Sequence, residues 1–119
     1  YAKNYAKGKI IDLDSSKANL TIYGKAPFKN LGYSPQGGKS VATGHVNNDV
    51  YADIIIGAES ADPLGRFFAG EAYVIYGKPY LTGRIINLNQ VQPNITIICN
   101  HQEICLEEAL LLVVLIVIL

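Results

Sequence analysis

Residues 45–53 read HVNNDVYAD. Side-chain oxygens fall at Asn47, Asp49 and Asp53, with the carbonyl of Tyr51 between the last two. Counting from His45, these occupy alternate positions of a nine-residue loop. A turn with that spacing can aim several oxygens at one point. Ca2+ takes about 6–8 hard oxygen ligands from carboxylates, amides, carbonyls and water. The pattern resembles the front of an EF-hand loop, but Val50 stands where that loop needs glycine and Ile56 where it needs glutamate. His45 takes the first ligand position, and imidazole suits transition metals better than a hard cation. Two readings stand. The loop is a weak structural Ca2+ site, or a polar turn in which Asn and Asp side chains bond their own backbone.

Other chemistry is thinly represented. Gly32–Ser40, GYSPQGGKS, nearly spells a phosphate-binding loop. Its first glycine is one residue too early, and the following residues read as strand rather than helix. Neither His45 nor His101 has a nucleophile at a recognisable spacing, and no hydrolase elbow or paired-histidine zinc motif is present. Asp49 and Asp53 could work as an acid and base, but no substrate pocket is implied around them. The chain reads as non-catalytic. Cys99 and Cys105, with His101 between them, lack the spacing and ligand number of a zinc site. A disulfide between them fits an oxidising compartment. Asn19-Leu20-Thr21 and Asn94-Ile95-Thr96 match the N-glycosylation pattern, and read better as equivalent strand positions in two related segments.

Those two segments are the clearest regularity in the chain. Residues 8–22, GKIIDLDSSKANLTI, align without a gap on residues 83–97, GRIINLNQVQPNITI. Gly8, Ile10, Ile11, Leu13, Asn19, Thr21 and Ile22 recur as Gly83, Ile85, Ile86, Leu88, Asn94, Thr96 and Ile97. A period of that length points to a solenoid, propeller or array. Between the copies the chain reads as four short strands: Lys39–Thr43, Asp53–Ile56, Glu71–Tyr76 and Arg84–Leu88. Gly37-Gly38, Pro63 to Gly65, Gly70 and Gly77 to Pro79 supply turns. No amphipathic helix is evident. Four such strands per repeat are what one propeller blade needs, with neighbours covering its faces.

The bulk numbers agree. The chain has 119 residues, half of them hydrophobic and 17% charged, and its formal net charge is zero. That is too apolar for a disordered tail and lacks the basic footprint of a nucleic-acid partner. The zero conceals a split: residues 1–39 carry a balance of +5 and residues 40–119 a balance of −5. The lysines of the first part interleave with Tyr5, Ile10, Ile11, Leu13 and Ile22, as on solvated strand faces. Residues 109–119, ALLLVVLIVIL, carry no polar side chain. As a helix they span about 16 Å, roughly half a bilayer core, so membrane association by this stretch falls short of crossing.

Leu31-Gly32-Tyr33, then Gly38–Asp53, then Ile54–Glu59 (IIIGAE) and Gly70–Gly77 (GEAYVIYG) together resemble an FG-GAP repeat. That is the blade of the integrin α-subunit β-propeller and of related bacterial propellers. The opening Phe-Gly corresponds to Leu31-Gly32, the Gly-Ala-Pro to Gly57-Ala58-Glu59, and the calcium loop to His45–Asp53. The resemblance implies an all-β partial β-propeller, about one four-stranded blade plus parts of its neighbours. Residues 1–30 would end the preceding blade, 31–82 form the repeat, 83–97 begin the next unit, and 98–119 form a divergent apolar tail. It implies Ca2+ held by Asn47, Asp49, Tyr51 and Asp53, with His45 a poor fifth ligand, so the ion is weak or lost. It implies a protein ligand for the parent molecule and an extracellular or cell-surface, adhesion-type setting. Glycosylphosphatidylinositol-specific phospholipase D carries similar repeats, so the alternative is the propeller part of such an extracellular enzyme. The repeat register is lost from Ile98 onward, which fits a truncated or frame-shifted, non-functional gene product as a third reading.

Overall fold

The computed structural model describes residues 14, 18–26, 29–32 and 41–99. Among them the chain forms strands, one 3-10 turn at Pro63–Gly65, and no α-helix. The strands are β1 (Leu20–Tyr23), β2 (Val41–Gly44), β3 (Asp53–Ala58), β4 (Glu71–Ile75), β5 (Arg84–Asn87) and β6 (Ile95–Ile98). The all-β expectation is met.

Two sheets result. One has four antiparallel strands in the order β2-β3-β4-β6, and the other pairs β1 with β5 in parallel. Val41 lies opposite Ile56, Ile55 opposite Val74, and Val74 opposite Ile95. After Asp53, β3 is an unbroken apolar run because both of its faces are covered, and Ile55, Ile56 and Ala58 are all buried. Side chains alternate, so one face carries Ile56, Ala58, Tyr73 and Ile75, and the other Ile55 and Val74. The first face packs against Ile22 of β1, Ile86 of β5 and Leu88. The second gathers Val46, Tyr76, Ile95 and Ile97. The two-stranded sheet thus acts as a lid on one face of the larger one. Its own outer face leaves Tyr23 and Ile85 exposed.

One strand assignment needs correction. The sequence reading made Arg84–Leu88 the fourth strand of the sheet, but that place belongs to β6, and β5 sits in the smaller sheet. Both segments have strand character, so local pattern does not separate them. Ile95 and Ile97 project to the face shared with Val74, whereas Ile86 and Leu88 fill the opposite cluster. β1 and β6 occupy matching positions of the two similar segments, yet they have different neighbours.

Before β2, Leu31 forms an isolated antiparallel bridge with Ala58, and the Gly32 N–H donates to the Gly57 carbonyl at 2.8 Å. Leu31-Gly32 and Gly57-Ala58 therefore meet beside the end of β3.

Candidate functional site

The β2–β3 connection, residues 45–52, is held by the first residue of β3. Asp53 is fully buried. Its Oδ2 accepts from the Val46 N–H at 2.6 Å and the Asn47 N–H at 3.3 Å, and its Oδ1 accepts from the Gly77 N–H at 2.8 Å. One carboxylate so ties both ends of its own loop to the segment after β4. Bonds from N–H groups to a charged acceptor are the stronger kind. Gly77 has to approach this closely: a Cβ there would lie 2.1 Å from the Ala52 carbonyl oxygen.

The middle of the loop bonds within itself. Asp49 Oδ1 accepts from the Tyr51 N–H at 2.9 Å, and Asp49 Oδ2 from Asn47 Nδ2 at 2.9 Å. Asn47 Oδ1 accepts from the Asp49 N–H at 3.4 Å. The bonds from the Tyr51 and Asp49 N–H groups are side-chain-to-backbone closures two residues apart, the habit of Asn and Asp in turns. Asn48 takes a positive φ of 61°, which Asn tolerates better than most residues. His45 is exposed and lies with Val50, Tyr51, Ala52, Ile54, Gly77, Lys78 and Leu81 around an open depression.

The candidate Ca2+ donors Asn47, Asp49, Tyr51 and Asp53 are thus brought into one loop with His45 at its start. In kind, the carboxylate and amide oxygens of Asp49 and Asn47 suit a hard cation. Asp53 is engaged as the anchor of the loop, with three backbone N–H groups on its two oxygens. Among the described residues no three His, Cys, Asp or Glu side chains converge on one point. A loop built on amide and carbonyl oxygens would not form such a cluster.

No family model matches the chain, and no curated protein or solved structure shows significant similarity to it.

Several interactions had no signal in the sequence. Gly77 reads there as turn punctuation, and its N–H proves to be the distant end of the Asp53 anchor. Tyr73 is 1% exposed, and its hydroxyl donates to Glu71 Oε2. Lys25 Nζ lies 3.4 Å from the same oxygen and 4.8 Å from the centre of the Tyr73 ring. Burial pushes the Tyr73 phenol well above its usual value, and the hydrogen bond to Glu71 and the charge of its carboxylate push it further. This trio ties the stretch after β1 to β4. Lys29 makes a 2.7 Å ion pair with Asp62, whose Oδ1 accepts from the Phe68 N–H at 2.7 Å. The Lys29 ammonium first, and the Phe68 N–H second, hold the Asp62 carboxyl below the usual carboxylate range.

Cys99 is buried and disulfide-bonded. Asn94 Oδ1 accepts from the Tyr76 N–H at 2.7 Å, which ties this Asn-Ile-Thr site to the sheet. Leu64, Phe67 and Phe68 are exposed on the loop between β3 and β4, with the two rings edge to face 4.3 Å apart. His101, Cys105, the 8–13 segment, Tyr33–Ser40 of the phosphate-loop look-alike and the apolar 109–119 stretch lie outside the described residues. Among the described residues no helix is long and apolar enough to cross a membrane.

Proposed function

We propose that the chain is a non-catalytic unit of FG-GAP β-propeller type, about one blade with parts of its neighbours, from an extracellular or cell-surface adhesion-type protein. The observation that carries this reading is the meeting of Leu31-Gly32 with Gly57-Ala58 at the end of a four-stranded antiparallel sheet. In the sequence these residues correspond to the two short motifs that name the repeat, with Leu31 in place of Phe and Glu59 in place of Pro. The disulfide at Cys99 agrees with an oxidising compartment. The loop 45–53 then plays the part of the calcium loop in weakened form. A Ca2+ ion there would draw on Asn47, Asp49 and the Tyr51 carbonyl, with His45 contributing little. It would compete with the bonds those groups already make to the turn, which keeps the affinity low.

Such a module works by presenting loops to a protein ligand. The exposed Leu64, Phe67 and Phe68 supply the aromatic and apolar anchors that dominate protein recognition. The test is retention of purified extracellular-matrix glycoproteins on the immobilised chain, with millimolar Ca2+ and with chelator. The reading expects at least one to be retained. It also expects retention to fall roughly tenfold when Leu64, Phe67 and Phe68 are all replaced by Ser at unchanged melting temperature. A panel in which nothing is retained removes the adhesion reading.

A further inference from the structure

Asn94-Ile95-Thr96 and Asn19-Leu20-Thr21 stand at matching places of the two similar segments. The similarity of the segments accounts for the repetition of the pattern. It does not decide which side chains reach solvent, and there the two sites part.

Asn94 lies in the bend just before β6, and Asn94, Thr96 and Ile98 are all exposed. Alternation puts these three on one side of the strand and Ile95 and Ile97 on the other, where they pack with Val74. Thr96 lies opposite Tyr73, which belongs to the face covered by β1 and β5. Since Thr96 is exposed on that same face, the cover stops short of it. At the first site Asn19 is exposed, but Thr21 is half-buried within β1.

The amide of Asn94 is also oriented. The Tyr76 N–H donates to Asn94 Oδ1 at 2.7 Å. A backbone N–H needs an acceptor, so it selects the oxygen and turns the nitrogen Nδ2 away. Nδ2 makes no hydrogen bond among the described residues. The Asn94 N–H donates to the Val74 carbonyl at 3.0 Å, which fixes the backbone beneath the side chain. A group attached to Nδ2 leaves Oδ1 an acceptor, so the bond to Tyr76 survives the attachment.

Asn-x-Thr at the surface of a chain that passes through a secretory compartment is the acceptor pattern for an N-linked glycan. The disulfide-bonded Cys99, close behind Asn94, is an independent sign of such a compartment. We propose that Asn94 is an N-glycosylation site. The donor is a lipid-linked oligosaccharide diphosphate. The bond from the anomeric carbon to the diphosphate oxygen breaks, that carbon bonds to Asn94 Nδ2, Nδ2 gives up one proton, and the lipid diphosphate leaves. The glycan projects from the exposed side of β6 and displaces neither Ile95 nor Ile97 from Val74. The proposal rests on the extracellular or cell-surface reading, and uses neither the calcium loop nor a protein ligand.

The test is expression of the full chain behind a secretory leader in cultured animal cells. Peptide N-glycosidase in heavy-oxygen water turns each occupied asparagine into a labelled aspartate, and mass spectrometry reads residues 94 and 19 on separate peptides. Secreted and cell-retained chains are both read, so poor folding does not block the measurement. Label at residue 94 in most copies is expected. Thr96→Ala should abolish it and Thr96→Ser keep it, with Oδ1 of Asn94 untouched in both. The glycosylated wild type and Thr96→Ala should melt within about 3 °C of each other, since the glycan leaves the packing and the Tyr76 bond in place. A chain with residue 94 unlabelled overturns the proposal, whether or not residue 19 is labelled. So does a glycosylated chain that has lost its cooperative melting while Thr96→Ala keeps it, because the bend then has no room for the glycan. Residue 94 unlabelled in a chain that still retains a matrix glycoprotein removes the glycan and leaves the adhesion reading. Residue 94 labelled without any such ligand does the reverse.

Discussion

Gly77 and Asp53 lie 24 residues apart in the chain and are joined by one hydrogen bond, 2.8 Å from the Gly77 nitrogen to Asp53 Oδ1. The missing side chain of Gly77 is part of the bond, because a Cβ would strike the Ala52 carbonyl oxygen at 2.1 Å. Gly77→Ala must push the loop away or break the anchor. Either way it should cost about 3 kcal/mol, read as a fall in melting temperature of about 10 °C or more. Asp53→Asn replaces one accepting oxygen with an amide that meets an N–H head on, and should cost about 2–3 kcal/mol. In a double-mutant cycle the two losses should be clearly less than additive, since both break the same contact. Additive losses would show that the bond does not couple them.

In the proposed calcium loop, His45 is the position that limits affinity. It is exposed at the first position of the loop, where a carboxylate would add a hard, charged donor. His45→Asp should tighten Ca2+ binding by about tenfold or more over a weak wild-type affinity, measured by isothermal titration calorimetry. Asp49→Asn in that background should reverse the gain. If His45→Asp brings no tightening, the loop does not gather these oxygens around a cation.

How much of this was legible in the sequence depends on the range of the interaction. β2, β3 and β4 follow from apolar runs bounded by Gly and Pro, and among the described residues the observed limits differ from the expected ones by a residue or two, Lys39 and Ser40 lying outside them. β3 shows why: Ile54, Ile55 and Ile56 in a row demand cover on both faces. Membership of the sheet was not legible for β5 and β6. RIIN and ITII are equally good strands, and the edge of β4 chooses between them through Ala72 and Val74, more than twenty residues upstream of β6. The loop divides the same way. Asx-type closure at Asn47 and Asp49 follows from their spacing, but nothing local reveals the bond from the Gly77 N–H to Asp53.

Tyr73 gives the sheet a pH dependence of known sign. Its hydroxyl, buried and donating to Glu71, keeps its proton above the ordinary tyrosine value of 10.0. In the unfolded chain the phenol ionises near that ordinary value. The folded state therefore binds the extra proton from about pH 10 upward, and stability falls as pH rises through that window by up to about 1.4 kcal/mol per pH unit. Below pH 10 the group contributes no slope. Tyr73→Phe should lower stability at neutral pH by about 1 kcal/mol, the scale of one such hydrogen bond. It should also flatten the alkaline limb of a melting-temperature profile between pH 9 and 12. An unchanged alkaline limb would mean that other tyrosines set it.

The disulfide-bonded Cys99 stands at the end of β6, an edge strand of the larger sheet among the described residues. Cys99 follows β6 directly, is 2% exposed, and its N–H holds the Gly70 carbonyl at 3.1 Å just before β4 begins. A crosslink at that point restricts the unfolded chain and stops β6 from fraying. Cys99→Ser should then cost about 2–4 kcal/mol, and a reductant should destabilise the wild type by a similar amount while leaving the variant unaffected. Fraying is local, so amide exchange should quicken first at Ile95 and Ile97, the residues that face β4, and later at Ile55 in the sheet centre. Loss of protection at Ile55 at the same rate as at Ile97 would show instead that the sheet opens as one unit, with β6 no weaker than β3.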